Sequence, residues 1–132
     1  MAQIDRNIAI HVCVVNDLFS WDKEVLDAAE TNYDIVNAIS IVMNQDNVDA
    51  EEARVRLAAK VPELELRHDQ LLRQSANQNP LSVESQRYIE FLVCLASGNE
   101  SWSRLTARYN VVNGKKQKPE VENVSFRALQ CV

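Results

Sequence analysis

The sequence lacks a long apolar segment, an excess of basic residues and an even number of cysteines. Its longest nearly apolar run, Ile8 to Val15, is far shorter than the roughly 20 residues that a membrane-spanning helix needs, and no charged-then-apolar signal peptide opens the chain. A net charge of −5 disfavours nucleic-acid binding. We therefore expect neither a membrane nor a nucleic acid among the partners of this protein.

Cysteine usage indicates a reducing compartment. The three cysteines, Cys13, Cys94 and Cys131, leave one thiol unpaired in any disulfide scheme, and two of them lie in apolar runs where a reduced thiol acts as a small hydrophobic side chain. We therefore expect a cytoplasmic protein. The length of 132 residues, 46% of them hydrophobic, predicts one folded domain at most and excludes a chain that is disordered by composition.

The first half of the chain has the apolar spacing of helices. Ile8 to Val15 could form part of a helix, or it could equally form a buried strand followed by a helix capped at Asn16 or Asp17. A second helix is expected at about 34–43, and a turn should follow it at 44–48.

The second half predicts two more helices and a tail. Asp49 with Glu52 resembles a capping box at the start of a third helix, which Pro62 should kink. A fourth helix is expected to start at Pro80 and to run toward Tyr109. From Asn113 onward the sequence has the composition of a mobile basic loop.

Three oxygen-bearing side chains lie at helical spacing in the first predicted helix. Asn16, Ser20 and Glu24 occupy positions i, i+4 and i+8, which fall within one arc of roughly 80°. Because Mg²⁺ takes one or two carboxylates and completes its shell with water and substrate phosphate, this set predicts a magnesium site that an anionic substrate completes. Lys23, at the edge of the same face, adds a positive charge for that anion. The alternative is an ordinary helix start with a capping Asn or Asp.

At these positions the chain resembles the class I terpene synthases, particularly the microbial and fungal sesquiterpene cyclases. Their second metal motif reads N-D-x-x-S-x-x-K-E, and every specified residue is present from Asn16 onward. Residues 98–103, followed by Arg108 and Tyr109, are similar to the G-N-x-x-W-S…R-Y stretch near the C-terminus of those cyclases. The resemblance covers most of residues 5–109.

The resemblance implies an all-α fold, the C-terminal part of the class I terpenoid synthase helical bundle. It also implies that Ile8 to Val15 belongs to one continuous first helix at about 4–31. Residues 1–112 would form a partial catalytic domain that binds metal, and residues 113–132 would form a tail. The implied activity is Mg²⁺-dependent ionisation and cyclisation of an isoprenoid diphosphate, with release of diphosphate. Farnesyl diphosphate is the substrate that the fungal sesquiterpene enzymes suggest.

The resemblance also implies roles for individual side chains. The implied ligands of one Mg²⁺ are Asn16, Ser20 and Glu24. Lys23 would lie near the diphosphate, and Arg108 and Tyr109 would contact it as the site closes. Ala9, Val12 and Cys13 would line an apolar cavity beside the metal.

One element of the family pattern is missing. A class I cyclase also needs an aspartate-rich D-D-x-x-D/E motif for two further magnesium ions, and no such motif precedes Ala9. We therefore expect the chain to correspond to the last third of a catalytic domain and to be inactive alone. The alternatives are a truncated gene product or a non-catalytic helical protein that binds a partner helix, or associates with itself, through exposed apolar surface.

Four other residues have simpler interpretations. His11 lies in an apolar run and is expected to be buried and hydrogen-bonded, whereas His68 lies among polar residues and is expected to face solvent. Trp21 and Trp102 are expected to be core aromatic residues, although aromatic faces can also stabilise carbocations.

Overall fold

The computed structural model describes residues 1–78, 80–112 and 115–116, and it describes the side chains of 1–78 and 80–110. Four helices account for most of this part of the chain: α1 (Ala2–Thr31), α2 (Ala38–Asp46), α3 (Ala50–Gln78) and α4 (Val83–Leu105). Two-residue strands, β1 (Val111–Val112) and β2 (Lys115–Lys116), pair in antiparallel orientation after α4. The predicted all-α fold is confirmed.

Helix α1 is the centre of the fold. It packs against α2, α3 and α4, and its 30 residues continue without interruption through Ile8 to Val15, so the strand alternative is wrong. The helix ends where Asn32 adopts a left-handed conformation with φ 57°, which asparagine tolerates better than most residues. The sequence prediction of 4–31 therefore matches α1 closely.

Helix α2 begins four residues later than the sequence predicted. Asn37 is extended, with φ −149°, and its side-chain oxygen accepts a hydrogen bond from the Ile39 backbone N–H, which makes it the N-cap. The helix ends at Asp46, before the left-handed Asn47. The predicted turn is therefore shorter than expected, because α2 extends past Met43.

The capping prediction for α3 is confirmed, and the start predicted for α4 is wrong. The Glu52 backbone N–H donates to Asp49 Oδ1 at 2.9 Å, and α3 continues through Pro62. Helix α4 begins after Ser82, which caps it, rather than at Pro80. It ends at Leu105, four residues before Tyr109. The predicted basic tail lies outside the described residues, except for the backbone of β2.

Two apolar clusters flank α1. Its N-terminal half packs with α3 and α4 in a cluster formed by Ile4, Ile8, Leu71, Ile89, Leu92 and Ala96. Its second half packs with α2 and α3 in a cluster formed by Val14, Trp21, Ile39, Ala53 and Leu57. The predicted metal motif lies in the second half of α1, where Asp17 and Glu24 contact the start of α2.

Several single-residue predictions need correction. His68 is only 8% exposed rather than solvent-facing, and neither ring nitrogen has a hydrogen-bond partner among the described residues. Burial lowers the pKa of His68, while Asp69 raises it and nearby His11 lowers it further. His11 is buried as expected, with Nε2 3.5 Å from Glu65 Oε1. Trp102 is exposed and is not a core residue.

Candidate metal centre

Two of the three predicted metal ligands touch each other. Ser20 Oγ donates a hydrogen bond to Glu24 Oε1 over 2.5 Å. The two side chains lie one turn apart on α1, which places them on one face of the helix. Ser20 is buried and Glu24 is half-buried, so their oxygens lie at the boundary between the core and the surface.

Asn37 contacts both Ser20 and Glu24. It was not predicted from the sequence as part of the site. Its Nδ2 donates to Glu24 Oε2 at 3.2 Å and to the Asp17 backbone oxygen at 3.0 Å, and it lies 3.4 Å from Ser20 Oγ. An asparagine before an apolar helix is a recognisable N-cap signal. The sequence does not reveal that this cap faces a carboxylate 13 residues away.

Asp17, the second residue of the motif, holds α2 rather than pointing its carboxylate toward Ser20 and Glu24. Asp17 Oδ2 accepts a hydrogen bond from the Ala38 backbone N–H at 2.7 Å. Burial raises the pKa of Asp17, the Ala38 bond lowers it, and the charge of Glu24 raises it further. Asp17 and Asn37 thus satisfy two of the free N–H groups at the start of α2.

Asn16, the third predicted ligand, contacts the second sequence motif. Its Nδ2 donates to the Tyr109 hydroxyl oxygen at 3.2 Å, and that hydroxyl lies 3.5 Å from Asn16 Oδ1. The Tyr109 ring meets Trp102 edge to face, with 5.4 Å between ring centroids. Asn16 therefore joins Tyr109, while Ser20 and Glu24 join each other through a separate set of hydrogen bonds.

Helix α4 brings the two motifs side by side. Asn99 Nδ2 donates to the backbone oxygen of Val12 on α1 at 3.3 Å. The Arg104 guanidinium lies 5.2 Å from the centroid of the Phe19 ring, within the range of a cation–π contact. Motifs that are separated by more than 70 residues in sequence therefore lie against one another in the fold.

Among the contacts between described residues, neither of the two predicted cationic residues bonds a predicted metal ligand. Lys23 forms an ion pair with Asp27, one turn further along α1. Arg108 is exposed in the turn after α4, where its backbone N–H donates to Thr106 Oγ1 at 3.3 Å. Ala9 and Cys13, predicted to line an apolar cavity, are exposed on α1.

The donor set fits a hard divalent cation that needs further ligands from elsewhere. No group of three or more His, Cys, Asp or Glu residues that could hold a metal occurs in the described part of the chain. The predicted ligands Asn16, Ser20 and Glu24 include only one residue of these four types. Their absence from such a group is therefore expected. Oxygen donors suit Mg²⁺, but a single carboxylate binds it weakly without phosphate oxygens.

Comparison with known proteins identifies the family. The terpene synthase family 2, C-terminal metal-binding region, matches residues 1–66, which is half of the chain. The chain belongs to this terpene synthase family. The matched residues contain α1 and α2, and therefore the contact among Ser20, Glu24 and Asn37. Metal binding by the family agrees with the oxygen-rich side chains found there.

Several fungal terpene synthases are similar to the chain. Ophiobolin F synthase from Cochliobolus heterostrophus is 37% identical over 98 residues, covering 74% of this chain and 13% of the relative. Aristolochene synthase from Aspergillus terreus is 33% identical over 113 residues, covering 83% of the chain and 35% of the relative. Conidiogenone synthase from Penicillium rubens is 33% identical over 123 residues, covering 92% of the chain and 17% of the relative.

The chain spans about a third or less of the length of these relatives. None of the helices in the described part of the chain is both long enough and apolar enough to cross a membrane.

Proposed function

We propose that this chain supplies the C-terminal metal-binding part of a class I terpene cyclase. The activity would be Mg²⁺-dependent ionisation of an isoprenoid diphosphate, followed by cyclisation of the allylic cation. The contact between Ser20 and Glu24, with Asn37 against both, is the observation that carries the proposal. It places a carboxylate, a hydroxyl and an amide in one small volume at the edge of the core.

The proposed metal ligands are Asn16, Ser20 and Glu24. A Mg²⁺ ion held there would stabilise the negative charge of the leaving diphosphate. Ser20 donates a hydrogen bond to Glu24, and its hydroxyl oxygen keeps lone pairs that it could offer to a cation. Asn16 must turn its carboxamide oxygen toward the same cation while Tyr109 holds the other end of the amide.

The proposed diphosphate contacts are Lys23, Arg108 and Tyr109. Lys23 is paired with Asp27, and a diphosphate with its metal would compete for that ammonium. Arg108 and Tyr109 follow the end of α4, and the Tyr109 hydroxyl already reaches Asn16. A bidentate arginine contact suits a phosphate group, so closing of this turn over the diphosphate would complete the site.

We propose farnesyl diphosphate as the substrate, on the resemblance to fungal sesquiterpene cyclases. The relatives also include proteins named as sesterterpene and diterpene synthases, so the length of the isoprenoid is decided by cavity walls beyond these helices. The cytoplasm remains the proposed location, on the odd number of cysteines in the sequence.

We further propose that the 132-residue chain is inactive alone. It contains no pair of adjacent aspartates, so the ligands of two further magnesium ions are lacking.

The boundary between a domain at 1–112 and a tail at 113–132 stays a prediction, and the strand pair β1 and β2 lies across it. Tyr88, Phe91, Leu95 and Trp102 are exposed on α4, which favours self-association as a second candidate property.

Metal titration of the purified chain tests the proposal. Free Mn²⁺, a paramagnetic substitute for Mg²⁺, would be measured by electron paramagnetic resonance with inorganic diphosphate present and absent. We expect diphosphate to strengthen binding, and we expect Glu24→Gln to abolish this because it removes the only carboxylate of the set. Glu30→Gln is the matched control, since Glu30 is an exposed residue on the same helix.

Two results would each contradict one part of the proposal. Equal Mn²⁺ binding by the unmodified chain and Glu24→Gln would exclude Glu24 as a ligand. Formation of hydrocarbon products when the unmodified chain is incubated with farnesyl or geranyl diphosphate and Mg²⁺, lost in Glu24→Gln, would support the metal site but contradict the inactivity of the chain alone.

A further inference from the structure

We propose that Asn37 is a positioning residue that orients Glu24 and Ser20 for the cation, an inference that rests on the proposed function. Asn37 belongs to none of the predicted motifs, and it is buried, with 2% of its surface exposed. Its amide nitrogen contacts both side chains, at 3.2 Å from Glu24 Oε2 and 3.4 Å from Ser20 Oγ. It would act through these ligands without touching the metal.

The orientation of the Asn37 amide is fixed by the start of α2. Asn37 Oδ1 accepts a hydrogen bond from the Ile39 backbone N–H at 2.9 Å. Exchanging the oxygen and nitrogen of the amide would set a donor against this N–H and an acceptor against the Glu24 carboxylate. The NH₂ group must therefore face Glu24, and the backbone of α2 determines this.

The two oxygens of the Glu24 carboxylate have different partners. Oε2 accepts from the Asn37 amide at 3.2 Å, and Oε1 accepts from Ser20 Oγ at 2.5 Å. Because a carboxylate has about four acceptor sites, each of its oxygens keeps a lone pair for a cation. The amide and the hydroxyl therefore fix the orientation of the carboxylate without using up its lone pairs.

A neutral donor suits this position better than a charged one. An ammonium or guanidinium at the place of Asn37 would fix Glu24 equally well, but its charge would repel the cation. The amide holds the carboxylate without cancelling its charge. Partners that orient metal ligands in this way are commonly worth about 10- to 100-fold in metal affinity.

A purely structural role for Asn37 can be separated from positioning. Asn37→Ser keeps a good N-cap side chain at the start of α2 but is too short to donate to Glu24. If Asn37 only capped α2, this variant would bind metal normally. Because the Glu24 contact is lost, we expect Mn²⁺ affinity in the presence of inorganic diphosphate to fall about 10- to 100-fold.

Ser40→Ala is the matched control. Ser40 Oγ donates to the backbone oxygens of Ile35 and Asn37, so the variant weakens the same segment without reaching Glu24. We expect its Mn²⁺ affinity to stay close to that of the unmodified chain. Far-UV circular dichroism of each variant would be measured alongside, to compare helix content.

A second measurement uses the unmodified chain and does not depend on how a variant folds. The side-chain amide of Asn37, assigned by triple-resonance nuclear magnetic resonance, is followed while Mg²⁺ and inorganic diphosphate are added. We expect the signal of the amide proton that donates to Glu24 to shift when Glu24 becomes a ligand, and the proton that donates to the Asp17 backbone oxygen to shift less. An unchanged Asn37 amide alongside a shifting Glu24 side chain would overturn the inference.

The outcomes separate the inference from the proposed function. Affinity of Asn37→Ser within about threefold of the unmodified chain, with binding lost in Glu24→Gln, would overturn the role of Asn37 and leave the metal site standing. Binding that is unaffected by Glu24→Gln would overturn the metal site, and the inference with it. Weaker binding in Asn37→Ser but not in Ser40→Ala supports both.

Discussion

Replacement of Ile39 by alanine should undock α2 more than any other single change in that helix. Ile39 is fully buried at 0% exposure and is the one buried residue of the nine in α2. It packs in the cluster that contains Val14 and Trp21 of α1. Its backbone N–H also bonds the Asn37 cap.

The size of the effect follows from the carbons removed. Ile39→Ala deletes three buried carbons, worth about 2.4 kcal/mol at roughly 0.8 kcal/mol each, and the cavity left behind raises the loss to about 3–4 kcal/mol. Ile39→Val deletes a single carbon and should cost about 1 kcal/mol. Ile41→Ala is the control, because Ile41 is 52% exposed on the same helix and should lose less than about 1 kcal/mol.

Urea denaturation followed by far-UV circular dichroism measures these differences. The urea concentration at the midpoint should be highest for Ile41→Ala, lower for Ile39→Val and lowest for Ile39→Ala. The slope of the unfolding free energy against urea concentration should be unchanged. Since a domain of this size is stable by only about 5–15 kcal/mol, the loss in Ile39→Ala is easily resolved. Equal losses for Ile39→Ala and Ile41→Ala would refute the packing of α2 described here.

Two further predictions concern the second motif and the buried histidine. Tyr109→Phe removes the hydroxyl that Asn16 bonds and should cost about 1 kcal/mol in unfolding free energy, whereas Tyr33→Phe, at a site 78% exposed, should cost nothing measurable. Because burial lowers the pKa of His68 below its unfolded value, the unfolded chain binds the proton more readily, and stability should fall as the pH drops from 7 to about 5.5. His68→Leu should flatten this dependence in denaturation curves, and an unchanged slope would exclude the histidine as its cause.

The local signals in the sequence predicted most of the helices. The capped start of α3 depends on a short-range hydrogen bond, and its prediction matches the structure. Apolar spacing left Ile8 to Val15 open between helix and strand, and the family resemblance decided for the continuous helix that α1 forms. The predicted start of α2 was wrong because the Asn37 cap fixes a later start, which Asp17 of α1 supports through its bond to the Ala38 backbone N–H. The position of His68 was also predicted wrongly, since its neighbours in sequence are polar while its ring is buried near His11 of α1.

By itself the sequence determined which residues could hold a cation. The positions i, i+4 and i+8 in the motif place Asn16, Ser20 and Glu24 on one face of any helix they form. Only the tertiary structure decided how these side chains are held. Asn37 reaches Glu24, and Tyr109 reaches Asn16, because α2 and the turn after α4 fold back onto α1. Helical periodicity describes neighbours within one element, whereas hydrogen bonds across 13 and 93 residues depend on packing that no local pattern encodes.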